Sequence, residues 1–307
     1  MIILTHIGDA LPSYLEDCLE QLRIFNPSID IVILCNRANL DNETLKKYNI
    51  GSYPVEDLHT DNTNRFIGLF GRGNVNSHLG SIAYGSGDYW CVTATRLFYL
   101  HEYVRRFNIS DFFHFENDVL IYEDLNILIN KFKTLYSDKI AITRGGYNKV
   151  MTGFSYISSS DVLGYVLDYM CKTLSSNVHL LPSKYNIDMV NEMALLHIFQ
   201  IDNPSIMCNL PILPSGSYSE NFQNFESVFD PASYGQFVGG TPGNAISGVI
   251  KPPDHYIGQE MRTDLSMNVV FKELNGLKIP YLLYRDNVIK INNLHIHSKE
   301  LKKYLSR

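Results

Sequence analysis

The segment FFHFENDVLIY, residues 112–122, carries Glu116 and Asp118 inside a run that otherwise reads as buried β-strand. Side-chain direction repeats every two residues in an extended chain, so both carboxylates project to one side with the small polar Asn117 between them. Such a pair can hold a hard divalent cation and one ribose or water contact, and the cation could neutralise a diphosphate. Near the end of the chain, His295 and His297 alternate in NLHIHSK and share one face of an extended segment. Asp188 and Glu192, spaced i, i+4 in DMVNEMALL, share one face of a helix and offer a base for a hydroxyl proton. Each group also has a plainer reading. The carboxylate pair can end a strand and face solvent, the histidines can be tail surface, and Asp188 can cap a helix whose exposed face carries Glu192.

For these groups to meet, the chain needs a layer that gathers strand ends. MIILTHIGD reads as a first strand and LPSYLEDCLEQLRIFNP as the helix after it, with Leu15, Cys18, Leu19, Leu22 and Phe25 at helical spacing. Ser13 with Glu16 has the form of a capping box, and Asn26-Pro27 ends the element. DIVILCN is a buried strand and NLDNETLKKYN a short exposed helix, so the order opens a parallel α/β layer. Residues 52–88, rich in Gly, Asn and Ser, are expected to be irregular, with a flexible segment around GLFGRGNVNSHLGS. YWCVTATRLFYLHEYVRRFN then resumes a helix that leads into the acidic stretch. Beyond it, DLNILINKFKTLY, SSDVLGYVLDYMCKTL and YNIDMVNEMALLHIFQ read as helices, KIAIT and GFSYIS as strands, and the last third as loops and short strands. Ligands of open α/β sheets collect beyond the carboxyl ends of the strands, which is where DFFHFEND would deliver its acidic residues.

The bulk numbers narrow the class. With 307 residues, 45% hydrophobic and 19% charged, the chain is globular with a substantial core. A net charge of -6 makes no electrostatic case for a nucleic-acid partner. The first residues show no secretory signal, and no stretch is long enough to span a bilayer. Five cysteines, an odd number without zinc-site spacing, suggest reduced core residues, so a cytoplasmic location is expected and the glycosylation triplets at Asn42 and Asn108 are expected to be idle. Without repeats or a low-complexity linker, residues 1–307 are read as one domain.

Glu-Asn-Asp after an apolar strand, followed by VLIY, resembles the Asp-x-Asp element of nucleotide-sugar glycosyltransferases of the A-type (GT-A) fold. The helix bearing TATRLFYLHEY before a His-x-Glu-Asn-Asp strand end is similar to a group of such enzymes met in viruses and bacteria. THIGDALPSYLEDCLEQLR, DPASYGQFVGG and NLHIHSK resemble further parts of that group. The resemblance implies an α/β fold with a mixed, mostly parallel central sheet flanked by helices, a Rossmann-like nucleotide-sugar half at 1–125 and an acceptor half at 126–307. It implies a metal-dependent, hexosyltransferase-like enzyme that moves a sugar from a nucleotide-diphosphate donor, with a UDP-sugar expected, to a glycan or other hydroxyl acceptor. Asp118 would coordinate Mn²⁺ or Mg²⁺ directly, and Glu116 would contact the ribose or a metal-bound water, with Asn117 beside them. A histidine near the C-terminus would complete the metal site, His297 ahead of His295, and Lys299 would meet the diphosphate. Arg96 would face the donor's phosphates or sugar, for which a guanidinium fork is suited. It could equally form a helix-surface ion pair. Thr5, His6 and Gly8 would lie at the nucleotide base and ribose, although His6 reads better as a hydrogen-bonded core histidine. Asp188 or Glu192 would serve as the base, with Asp230 a further option because the glycines after it let backbone approach a sugar closely.

Two other readings stay open. A sugar-nucleotide nucleotidyltransferase uses a similar sheet and metal but carries a Gly-rich basic loop after the first strand, where this chain has THIGDALPS. A catalytically silent sugar-binding protein would keep the fold without turnover. GRGNVN lacks the third glycine and the leading strand of a dinucleotide fingerprint, and phosphate-loop, zinc-protease and serine-hydrolase motifs are missing.

Overall fold

Strand β1 (Ile2–His6) is apolar and buried through Leu4, as a parallel strand covered by helices on both sides requires. Its alternation divides two cores: Ile2 and Leu4 join one, and Ile3 joins the other. The computed structural model describes residues 1–72, 87–240, 257 and 267–307. After β1 come α1 (Tyr14–Phe25), β2 (Ile31–Cys35), α2 (Glu43–Lys47), β3 (Gly51–Pro54), α3 (Asp61–Arg72), α4 (Gly87–Arg106), β4 (Phe112–Phe115) and β5 (Val119–Ile121). They are followed by α5 (Leu125–Leu135), β6 (Ile140–Gly146), β7 (Lys149–Ile157), α6 (Ser160–Ser175), α7 (Leu181–Tyr185), α8 (Glu192–Asp202) and β8 (Met207–Asn209). The last part holds α9 (Phe222–Phe225), β9 (Ser227–Val228), α10 (Tyr234–Gly239), β10 (Asn268–Leu274), β11 (Leu277–Tyr284), β12 (Asn287–Ile291) and β13 (Asn293–His295).

Among the described residues, seven strands form the central sheet in the order β3-β2-β1-β4-β7-β6-β8. Neighbours are parallel except at β7, which runs against both β4 and β6. The fold is therefore mixed α/β with a mostly parallel sheet flanked by helices. That reversal has a positional result: β7 begins on the edge where β1, β4, β6 and β8 end. Leu15, Cys18, Leu19 and Leu22 of α1 and Leu125, Leu128 and Phe132 of α5 pack on one face of the sheet. The apolar residues of α3, α4, α6 and α8 cover the other. A smaller sheet, β10-β11-β12-β9, and the antiparallel pair β13 and β5 bring the end of the chain back beside the acidic segment.

Three local expectations are corrected. Residues 61–72 form a helix rather than an irregular connection, because Phe66 and Phe70 supply an apolar stripe within a polar sequence and Phe66 packs on Phe98 with ring centroids 4.6 Å apart; residues 73–86 of the glycine-rich segment lie outside the described ones. Ser13 makes no side-chain cap bond, and Glu16 pairs instead with Lys47 at 2.6 Å. The helix expected to contain Asp188 starts only at Glu192, because the Asn191 side chain accepts from Ala194 N and caps it there. Asp188 is exposed ahead of that helix, so it shares no helical face with Glu192.

Candidate active site

The acidic pair comes together by a turn rather than by strand alternation. β4 stops at Phe115, and Val119 N donates to Glu116 O at 3.1 Å, closing a tight turn before β5. Asn117 Nδ2 donates to Thr5 O at 3.2 Å and ties this turn to the end of β1. Asn117 Oδ1 and Thr5 Oγ1 are buried polar atoms without a partner among the described residues, both at the mouth of the sheet. A buried acceptor or hydroxyl left this way costs desolvation energy unless a ligand or water meets it.

Strand pairing supplies the third group. In the β13–β5 ladder His295 lies opposite Val119, and Ile296 N donates to Asp118 O at 2.9 Å, so the backbone itself carries the histidine to the carboxylates. His295 Nε2 stands 3.2 Å from Asp118 Oδ2 and 3.4 Å from Glu116 Oε2. Ligand atoms of Glu116, Asp118 and His295 all fall within 4.8 Å of one another. Lys299, held at a positive φ of 65°, reaches back to pair with Asp118 through Nζ. Such backbone conformations cost energy in a lysine and persist where the surroundings impose them.

Two glycines and one aspartate hold His295 in place. A Cβ on Gly235 would lie 2.0 Å from the His295 carbonyl oxygen, and one on Gly153 would lie 2.6 Å from His295 Nδ1. Asp230 is 1% exposed; its Oδ1 accepts from Ser233 N and Tyr234 N, and its Oδ2 accepts from Gly235 N and His295 N, at 2.7–2.8 Å. Four backbone donors use the lone-pair sites that a carboxylate offers. The His297 ring lies beside that of His295, with centroids 4.1 Å apart and planes tilted by 46°, so the two share a face, but among the described residues its side-chain hydrogen-bond partner is Gln236 at 3.4 Å.

On the other side of Glu116, a single guanidinium nitrogen joins three residues. Arg96 Nη2 donates to Glu116 Oε1 at 2.7 Å, Thr152 Oγ1 at 2.7 Å and Glu192 Oε1 at 3.0 Å, while Thr152 Oγ1 donates to Glu116 Oε1 at 2.9 Å. Burial opposes the charges here, and the neighbours decide each case. For Glu116, Arg96 and His295 outweigh burial and hold the carboxyl well below the usual range. For Asp118, His295 and Lys299 do the same. His295 would be lowered by burial, but Asp118 and then Glu116 push it up to about 10. Glu192 goes the other way: burial raises it, and Glu116 adds to this against the pull of Arg96.

Of the residues expected from the sequence, Glu116, Asp118, His295, Lys299, Arg96 and Glu192 form one connected cluster, with Thr5 and Asn117 at its edge. His6 Nε2 bonds Ala10 O at 2.9 Å and partial burial lowers its pKa, but the residue is half-buried at the end of β1, so it is hydrogen-bonded without being a core histidine. Gly8 lies beyond it, its N–H on Asn36 Oδ1 and its carbonyl accepting from Asn39 Nδ2. Thr152 and Gly153 were not foreseen, and Gly235, one of the glycines after Asp230, lies against the His295 backbone. A threonine and a glycine interrupting the apolar run KVMTGFSYI were the available signal for the first two.

No family model matches the sequence, and no curated protein matches it. Similar solved structures include mouse xyloside xylosyltransferase 1, with 12% identity over 68% of this chain and 84% of that one and a TM-score of 0.47. The galactosyltransferase LgtC is similar at 14% identity, 68% and 73% coverage and a TM-score of 0.39. A cytidylyltransferase from Leptospira borgpetersenii is similar at 12% identity, 73% and 82% coverage and a TM-score of 0.38.

Proposed function

We propose that this chain is a metal-dependent glycosyltransferase of the GT-A type that moves a sugar from a nucleotide-diphosphate donor, a UDP-sugar, to an acceptor hydroxyl. The observation that carries the reading is the convergence of Glu116, Asp118 and His295 within 4.8 Å at the carboxyl edge of a mostly parallel sheet, flanked by Lys299 and Arg96. Two carboxylates and an imidazole suit Mn²⁺ better than Mg²⁺, which prefers oxygen ligands, and the buried position gives such an ion a partly desolvated seat. When bound by these three side chains, the ion would supply Lewis acidity toward the departing diphosphate.

The chain's own residues divide the remaining work. Lys299 and Arg96 are cations beside the carboxylates, and in the donor complex they would turn toward phosphate oxygens and stabilise the negative charge that gathers there. Thr5 and Asn117, with His6 and Gly8 further out, line the end of β1, where the ribose and base would bind. Of Asp188, Glu192 and Asp230, we assign the base to Glu192: it joins the cluster, and burial raises its pKa, which makes it a stronger base than an ordinary carboxylate. Asp188 lies outside the helix, and Asp230 is held by four backbone donors. The ligand set favours His295 over His297, because His295 Nε2 faces both carboxylates.

The test is incubation with a panel of nucleotide sugars and Mn²⁺, reading released nucleoside diphosphate. Release that depends on the metal is expected. Release of pyrophosphate from a nucleoside triphosphate with a sugar phosphate would replace this reading with nucleotidyl transfer, and donor binding without turnover would leave a silent sugar-binding protein.

A further inference from the structure

A second constellation stands on the same edge of the sheet. The hairpin between β6 and β7 presents Tyr147, which is 50% exposed, and its ring meets Tyr218 edge-on at 6.0 Å and 79°. Tyr218 belongs to the loop after β8, whose end lies beside that of β6 because the two strands are parallel. Both rings therefore stand on the edge that carries Glu116.

Arg144 makes this pair rigid. Its Nε donates to Gly146 O at 3.1 Å, Nη1 to Gln200 Oε1 at 3.1 Å, and Nη2 to Tyr147 O and to His197 Nδ1. Its guanidinium carbon lies 4.3 Å from the centre of the Tyr218 ring. One cation thus locks the turn that bears Tyr147 and backs the ring of Tyr218. Its anchors Gln200 and His197 lie on α8, which opens with Glu192. At the helical rise they sit about 12 Å and about 8 Å along the axis from that carboxylate. A turn whose carbonyls are tied down by hydrogen bonds presents its exposed aromatic ring from a fixed backbone, so less freedom is lost when a ligand binds. Flat aromatic faces suit the apolar faces of pyranose rings, and the spacing from Glu192 is within reach of a short saccharide.

We propose that the exposed ring of Tyr147 is a stacking face for a neutral pyranose of the acceptor saccharide, with Tyr218 bracing it edge-on and Arg144 as the positioning residue that fixes the Tyr147 turn and backs the Tyr218 ring. The acceptor role rests on the transfer reading above; the sugar platform itself can be measured without turnover.

The experiment is saturation-transfer NMR of the full chain with methyl β-D-glucopyranoside, methyl β-D-galactopyranoside and methyl β-D-xylopyranoside. At least one is expected to receive saturation from wild type, with binding weakened about tenfold or more in Tyr147→Ala and in Tyr218→Ala. Tyr147→Trp, which keeps a stacking face, is expected to retain binding, an outcome that a merely structural role for Tyr147 would not produce. Equal binding by wild type and both alanine variants, or no binding of any of the three sugars, overturns the platform. Nucleoside diphosphate release, measured on wild type without any pyranoside, reports on the transfer reading alone. If it is absent while Tyr147-dependent sugar binding persists, the transfer reading falls and the platform stands.

Discussion

Asp118 and Asp230 are both buried carboxylates within bonding distance of the same residue, His295, and they are satisfied in opposite ways. Asp230 accepts four backbone N–H groups, which have no other place to go. Asp118 instead faces the side chains of His295 and Lys299, both of which can swing or exchange a proton. Backbone donors fix geometry, whereas ionisable side chains hold a charge ready for another cation. The first carboxylate builds the site, and the second is available to a ligand.

The largest expected effect follows from this contrast. Asp118→Asn keeps the shape but removes the charge, so metal-dependent donor turnover is expected to fall by about a thousandfold or more, with a thermal midpoint close to wild type. A large loss of stability with activity retained would mean that Asp118 does the structural work assigned to Asp230. The reciprocal change comes next. Asp230→Ala strands four buried donors and loosens His295, and should lower stability by about 3 kcal/mol or more, seen as a midpoint about 5–10 °C lower.

Adding the cation sharpens the same comparison without any catalysis. Mn²⁺ at a hundred times its Kd should stabilise wild type by about 2.7 kcal/mol in a thermal melt, and chelator should reverse the shift. Asp118→Asn and His295→Gln should lose most of that response, while His297→Gln should keep it. A response lost with His297 and kept without His295 would reverse the assignment between the two.

Why that assignment could not be made from sequence shows where sequence reading stops. Alternation in NLHIHSK put both rings on one face, and their centroids lie 4.1 Å apart. Which ring reaches the carboxylates depends on the register of β13 against β5, a pairing across more than a hundred residues that local pattern does not encode. α1, α5 and α6 were legible because their apolar residues recur with helical period and bury against the sheet. α3 was hidden by its Asn, Gly and Arg content, and the start of α8 by a choice between two capping residues, Asp188 and Asn191, that only packing decides. The acidic pair was visible as chemistry, but the turn that joins it was not. Gly153 and Gly235 matter through distances to His295, which lies far along the chain from both.

Arg144 shows a third way of holding a charge, and it yields the smallest effect. Its partners among the described residues are uncharged: two backbone carbonyls, Gln200 and His197. His197 Nδ1 must then act as an acceptor, which requires a neutral ring. Burial first, and Arg144 second, lower the His197 pKa to about 4 from an ordinary 6.5. Above pH 6.5 the ring is neutral whether the chain is folded or not, and this contribution to stability is complete. As pH falls, the unfolded chain takes up a proton that the folded one refuses, so stability is lost from about 6.5 down to about 4, where the folded ring also protonates. Urea denaturation at pH 7.0, 5.5 and 4.5 should show wild type losing about 1–2 kcal/mol more than His197→Gln over that window, after allowance for solvent screening. Equal slopes would mean that His197 carries its proton beside Arg144. The guanidinium would then need another acceptor in place of Nδ1, and the rigid backing of Tyr147 and Tyr218 would lose one of its anchors.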